Sequence, residues 1–352
     1  MIRVGLVGFG LAGRVFHAPL ISSVEGLELA AIVERSSGSA AARYPGITVY
    51  RTVDELLADA SIKLVVVATP NDTHSDVALR ALEAAKNVVV DKPVALTSAE
   101  IANLMSLAGG IGLQLFPFHN RRWDNDFQTI QKLVVDKSLG SLAACSSTFD
   151  RWRPGSSSRP WKENPDQGGL LLDIGTHLVD QALVLFGPPE SVGAEVRHER
   201  AGEGTNDAFT IRLHYFSSFI ATLEATCLGL LPRPRFLVRG THGSYRKYGL
   251  DPQEEALNEI TEITAPDWGH EPSERWGTLS VEAEGAIVSQ SLESIPGDYR
   301  KFYEDVRDAL LGQGPAPVAA VDAWRAARVL EYAAESARLH RDIDCDWSSE
   351  PS

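Results

Sequence analysis

From the N-terminus to about residue 120, short apolar runs alternate with segments of helical periodicity. The runs at 4–7, 27–33, 47–49, 64–68, 88–90 and 113–116 are apolar almost throughout, as parallel strands covered on both faces must be. Between them, Val77, Leu79, Ala81, Leu82 and Ala85 fall at helical spacings over 75–85, and Thr97 or Ser98 is placed to cap a helix towards Leu107. Gly109-Gly110 supplies a stop for that helix. Strand and helix in alternation predict βαβ units and a Rossmann-type parallel sheet over 1–120.

After residue 120 the rhythm changes. A helix is expected over 125–137 and a strand over 141–150, followed by a loop rich in Arg, Pro and Ser. The runs at 192–198, 208–215, 219–226 and 235–239 alternate or are rich in β-branched residues, predicting a large, open, mostly antiparallel sheet. Val321, Trp324, Ala327, Leu330, Ala334 and Ala337 mark one face of a long helix that packs on the body. The expected class is α/β with two domains, 1–120 and 121–352.

The length of 352 residues agrees with two domains, at about 150 residues each. Composition adds few constraints, since 44% hydrophobic and 23% charged residues describe an ordinary soluble chain. Charge adds more. With 33 Lys and Arg against 47 Asp and Glu, the net charge of −14 opposes attraction to nucleic acid or anionic lipid. Cys145, Cys227 and Cys345 are odd in number and far apart, offering neither a disulfide framework nor metal-ligand spacing, which predicts a reducing cytoplasm. The first residues run directly into a strand pattern without a leader-like segment. No stretch approaches the roughly 20 apolar residues of a membrane helix.

Gly8-Phe9-Gly10-Leu11-Ala12-Gly13 directly follows the first strand and precedes a helix. In that setting Gly8 makes the tight turn, Gly10 admits a pyrophosphate to the backbone, and Gly13 lets helix and strand pack closely. Glu34 stands 21 residues after Gly13 at the end of the second strand, where a carboxylate receives adenine-ribose hydroxyls and favours NAD. Arg35 and Ser36 follow it, and a guanidinium with a hydroxyl suits a 2′-phosphate. NAD and NADP both remain open, as does a plain solvated strand end.

Three further segments carry a specific likeness: Thr69-Pro70-Asn71-Asp72-Thr73-His74, Asp91-Lys92-Pro93, and 168–177 with the sequence GGLLLDIGTH. With the glycine turn, and in this order, they resemble the Gfo/Idh/MocA oxidoreductases along nearly the whole chain. The segments RVFHAP at 14–19, FHNRRWD at 118–124 and KYGLDPQE at 247–254 are more similar to the scyllo-inositol dehydrogenase branch, which includes NADP-preferring enzymes. The resemblance implies a nucleotide-binding domain followed by a substrate-binding domain whose open sheet joins subunits, hence a homodimer or homotetramer. It also implies a catalytic role for Lys92, although Asp91 replaces the family's usual Glu.

Oxidation of a secondary alcohol needs a group that takes the hydroxyl proton beside the carbon that gives up hydride. Lys92 at a strand end and His177 are the suitable groups, and Asp173, four residues before His177, shares its helical face. Asp173 either accepts from a substrate hydroxyl or orients His177, with Asp180 as a competing partner. Thr69, Asn71 and His74 are candidates for the nicotinamide pocket, the last two alternatively capping the helix near Ser75. Arg121, Arg122, Trp123, Arg151, Trp152, Arg153 and Trp161 form basic-aromatic clusters; of these Arg122, Trp123, Arg153 and Trp161 are the substrate candidates, aromatic faces and guanidiniums being suited to a sugar ring and its hydroxyls. Local ion pairing is the structural alternative for the arginines. No metal is expected. The expectation is an NAD(P)-dependent dehydrogenase of a sugar or cyclic polyol, against two rivals: a non-enzymatic NAD(P)-binding regulator and a glycosidase that oxidises its sugar only transiently.

Overall fold

Six parallel strands form the first sheet of the computed structural model, which describes residues 1–36, 38–155, 168–201, 204–216, 218–259 and 263–351. They are β1 Ile2–Val7, β2 Leu27–Val33, β3 Thr48–Tyr50, β4 Leu64–Val67, β5 Asn87–Asp91 and β6 Leu115–Phe118. Their order is β3-β2-β1-β4-β5-β6, so the winding reverses between β1 and β4 and opens a crevice at their carboxyl ends. Leu64 and Val66 face one core while Val65 and Val67 face the other, which is why the apolar runs show no alternation.

The helix Ser98–Gly110 begins with a capping box in which Thr97 and Glu100 bond each other's backbone N–H. Gly109-Gly110 are its last residues; just past them Gly112, at φ +69°, turns the chain, and the N–H of Leu113 closes on the carbonyl of Ala108 at 2.9 Å. Leu113 therefore belongs to the helix stop, and β6 starts at Leu115 rather than at 113.

Among the described residues the second sheet has nine strands: β7 Leu142–Thr148, β8 Ser191–Arg197, β9 Ala208–His214, β10 Ile220–Thr226, β11 Phe236–Gly240, β12 Gly243–Lys247, β13 Gly277–Ala283, β14 Ala286–Leu292 and β15 Ile343–Asp344. The order is β14-β13-β12-β11-β7-β10-β9-β8-β15, antiparallel except for β7 beside β10. Phe127, Ile130, Leu178, Val179, Val329 and Ala333, from three helices, pack against inward residues such as Ile211, Leu213 and Leu223. Those helices are Asn125–Val135, Thr176–Phe186 and Ala320–Leu339.

The chain then returns to the first sheet. Tyr299, Phe302, Tyr303, Val306 and Ala309, on and beside the helix Arg300–Leu310, join Leu6, Ile32, Phe116 and Phe118 in one core. A segment far beyond residue 120 thus covers one face of the N-terminal sheet.

Candidate active site

A cleft of about 680 Å³ lies where the carboxyl ends of β1, β4 and β5 meet the turn Leu171–Gly175 of the second half. At its first-domain edge, Gly8 has φ +99°, and a Cβ there would stand 2.5 Å from the carbonyl oxygen of Ala68. A Cβ on Gly13 would meet the Gly8 carbonyl oxygen at 2.1 Å, whereas one on Gly10 meets nothing within 4 Å. Gly8 and Gly13 are therefore demanded by packing. Gly10 instead leaves open space over the backbone, which is what a pyrophosphate requires.

Glu34 directly follows β2 but does not line the cleft among the described residues. Its carboxylate is buried and accepts from the backbone N–H of Ser39 at 3.1 Å, the Ser39 hydroxyl at 2.5 Å and the N–H of Ala40 at 3.2 Å. It thus holds the start of the helix Ser39–Arg43. Arg35 and Ser36 are exposed beside it. Arg51, which the sequence did not single out, donates to the Glu34 carbonyl at 2.9 Å and brings a second guanidinium to this strand end.

Lys92, just past β5, donates from Nζ to the Asp173 carboxylate at 2.8 Å and to the Asp173 carbonyl at 2.7 Å. Of the two roles open to Asp173, the structure thus shows a third, fixing Lys92. Arg151 Nη1 lies 3.5 Å from the other carboxylate oxygen. His177 is buried in the cleft wall with Nδ1 lacking a hydrogen-bond partner among the described residues. Burial, followed by the nearby charges of Lys92 and Arg121, holds its pKa well below the ordinary histidine value. Its imidazole is therefore neutral at pH 7. Asp180 is not its orienting partner, being clasped by Arg122 at 2.9 and 2.6 Å.

Asp91 also faces the cleft. It accepts from the Lys92 backbone N–H at 2.8 Å and stands 3.7 Å from Nε2 of His17, whose Nδ1 is 2.7 Å from the Tyr303 hydroxyl. Burial pushes its pKa up, but the neighbouring His17 ring and the charges of Lys92 and His74 outweigh that and leave it below the usual value. The shorter acid in place of Glu is thus tied to the turn that presents Lys92.

Thr69 and Asn71 line the cleft. His74 does not: its ring nitrogens lie 2.7 Å from the Pro93 carbonyl and 2.8 Å from the Thr69 carbonyl, so it fastens the loops after β4 and β5 together. Arg122 is also corrected, since it pairs with Asp180 and with Asp322 at 3.0 Å beneath the cleft wall. Trp123 packs edge-on to Phe302, with ring centroids 5.7 Å apart, and lies outside the lining. Arg153 lines the cleft, and Trp161 falls outside the described residues. Arg121 and Glu254, joined at 2.5 Å, and Arg151 and Arg200 complete the wall. Glu254 was legible only as the last letter of the 247–254 segment.

Residues 2–119 match the profile of an oxidoreductase family described as an NAD-binding Rossmann fold, and 131–344 match that family's C-terminal alpha/beta domain. The chain belongs to the Gfo/Idh/MocA oxidoreductases. It is 42% identical over 346 residues to the uncharacterized oxidoreductase YdgJ of Escherichia coli K12, covering 98% of each chain. It is 33% identical to the scyllo-inositol 2-dehydrogenase (NADP(+)) IolW of Bacillus subtilis 168, covering 97% of this chain and 95% of that one. The structure of yvaA from Bacillus subtilis superposes with a TM-score of 0.95 at 32% identity, over 98% of both chains. As a Gfo/Idh/MocA member the chain carries the family's NAD-binding fold, with the glycine turn and the space over Gly10 suited to that cofactor. Among the described residues no group of three or more His, Cys, Asp or Glu could hold a metal ion, and no helix is long and apolar enough to cross a membrane.

Proposed function

We propose that this Gfo/Idh/MocA oxidoreductase is an NAD(P)-dependent dehydrogenase that moves a hydride between nicotinamide and a secondary hydroxyl of a sugar or cyclic polyol. The observation that carries the reading is the Lys92 ammonium, fixed by Asp173 in the same cleft wall as the neutral His177. Nicotinamide bound beyond the glycine turn supplies the acceptor for the C–H hydride. Lys92 donates a hydrogen bond to the carbinol oxygen and stabilises the negative charge that grows there. The neutral imidazole of His177 takes the hydroxyl proton, so the C–H bond leaves as hydride and the O–H bond as proton, giving a carbonyl. Asp173 holds Lys92 in place, and in reduction the same groups return the proton.

With the cofactor bound, Thr69 and Asn71 would flank the nicotinamide, Gly8, Gly10 and Gly13 would form the pyrophosphate turn, and Glu34 with Arg35 would receive the adenine ribose. Arg153 belongs to the substrate wall. The name of the relative IolW supports a polyol of inositol type. The protein acts in the cytoplasm as a homodimer or homotetramer, a reading supported by exposed apolar residues on the second sheet, Ile287 and Val288 on β14.

Absorbance at the reduced-nicotinamide band, followed with NAD and NADP against a panel of inositols, polyols and aldoses, tests the reading. Accumulation of reduced cofactor with a cyclic polyol or sugar is the expected result. Release of free sugar from a glycoside without net reduction establishes the transient-redox glycosidase instead, and cofactor binding with neither reaction establishes the regulator.

A further inference from the structure

The cleft is a cationic spot on an acidic protein. Among the described residues, five cationic side chains line it, Lys92, Arg121, Arg151, Arg153 and Arg200, against the three carboxylates of Asp91, Asp173 and Glu254. Most of these have settled partners. Lys92 holds Asp173 at 2.8 Å, Arg121 holds Glu254 at 2.5 Å, and Arg200 holds Asp207 at 2.8 Å just behind the lining. Asp91 is turned to the Lys92 backbone and His17.

Arg151 and Arg153 are left over. The side chain of Arg151 is only 18% exposed, lies with its guanidinium carbon 5.1 Å from the Phe149 ring centroid, and has Asp173 at 3.5 Å as its sole ion-pair neighbour among the described residues. That carboxylate already serves Lys92. Burial lowers the Arg151 pKa, and the positive charges of Arg153 and Arg121 act in the same direction against the pull of Asp173 and Glu254. Arg153, two residues on, has no side-chain partner among the described residues and opens on the same cleft. Both arginines follow β7 of the second sheet, on the Asp173 side, whereas the pyrophosphate turn belongs to β1. A buried guanidinium short of countercharge gains most from an anion, and the planar fork of Arg matches a carboxylate or phosphate two-pronged.

We propose that Arg151 and Arg153 form an anion subsite, and that the substrate is a sugar or polyol bearing a carboxylate or phosphate group. This deepens the dehydrogenase reading and rests on it for the reacting hydroxyl, but the subsite itself stands on the guanidiniums. A neutral polyol would leave the Arg151 charge partly buried and sharing one carboxylate.

The experiment titrates the full-length protein saturated with NADH or NADPH with D-glucuronate, D-galacturonate and D-glucose 6-phosphate, each beside its neutral parent D-glucose or D-galactose, by calorimetry. Turnover of the same sugars is followed in parallel with NAD or NADP as the hydride acceptor. At least one anionic sugar is expected to bind about 10-fold or more tighter than its parent, on the order of 1.4 kcal/mol. The carboxylate and phosphate arms identify which anion the subsite takes. In Arg153→Gln, whose exposed position does not threaten folding, and in Arg151→Gln, the ratio of anionic to neutral affinity is expected to fall several-fold while the affinity for reduced cofactor stays unchanged. Equal binding of every anionic sugar and its parent overturns the proposal. So does an unchanged ratio in both variants, or an effect that falls on the cofactor. Tight, arginine-dependent binding without turnover sustains the subsite and sinks the dehydrogenase reading alone.

Discussion

The Lys92 ammonium and Asp173 meet twice, at the carboxylate 2.8 Å away and at the backbone carbonyl 2.7 Å away. A residue at a strand end of the first sheet is thereby fastened to the turn that opens the helix carrying His177. The two contacts separate charge from position, since the carbonyl bond survives a change of the side chain.

Lys92→Ala and His177→Ala should lower kcat by about 10²- to 10⁴-fold while leaving the Kd for NAD(P) nearly intact. Asp173→Asn keeps an acceptor and the carbonyl contact, so a smaller loss in kcat or a rise in KM is expected. Steady-state kinetics combined with cofactor-fluorescence titration checks all three. Loss of cofactor binding in Lys92→Ala would reassign Lys92 to a phosphate or ribose.

Glu34→Ser removes the carboxylate that disfavours a 2′-phosphate, leaving Arg35 and Arg51 at the strand end. The kcat/KM ratio of NADP over NAD should rise. The same variant should lose about 0.5–2 kcal/mol of stability, because Glu34 caps the helix Ser39–Arg43. Urea unfolding reads the second effect independently of the first. A drop in stability with no change in the cofactor ratio would leave Glu34 a cap and nothing more.

Arg122→Ala leaves the carboxylate of Asp180, only 3% exposed, without the guanidinium that holds it. A loss of about 3–5 kcal/mol is expected in denaturant unfolding, the usual penalty of a stranded buried charge. Arg122→Met combined with Asp180→Asn removes both charges and should recover much of it. A loss below about 1 kcal/mol in the single variant would place the pair among weak surface bridges.

Acid should destabilise the fold through His119 and His177, whose pKa values burial lowers, with the Arg122 and Lys92 charges adding at His119 and those of Lys92 and Arg121 at His177. The unfolded chain protonates both near 6.5, before the folded chain does. Below that pH the unfolded state binds more protons, so stability falls until the folded values are reached and then levels off. Each group adds up to about 1.4 kcal/mol per pH unit. His119→Asn and His177→Asn should flatten the fall in urea midpoint between pH 7 and 5, and an unchanged slope would show that neither ring is held neutral.

The parallel sheet was legible because strands buried on both faces must be apolar throughout, and nearly every such run became a strand. β12 and β14 were not, since Gly-Ser-Tyr-Arg-Lys and the exposed Ser289-Gln290-Ser291 of β14 have no core to face on one side. The catalytic candidates were visible through short segments of fixed spacing. Pairing was not: Arg121 and Arg122 are adjacent in sequence, yet one borders the cleft and the other turns to Asp180 and Asp322, two partners far along the chain. His74 read as a pocket residue because nothing local reveals the Pro93 carbonyl that its ring meets.

The return of Tyr299, Phe302, Tyr303 and Val306 to the first sheet also sets the order of events at the ribosome. All six N-terminal strands are synthesised with the apolar side chains of Leu6, Ile32, Phe116 and Phe118 lacking their aromatic cover, although domains commonly fold as units from the N-terminus during synthesis. At about 5–20 residues per second, the roughly 180 residues between β6 and that helix take some 10–40 s to emerge. During that interval the nascent nucleotide-binding half carries a sticky face, and it becomes a natural client for chaperones until the helix Arg300–Leu310 arrives.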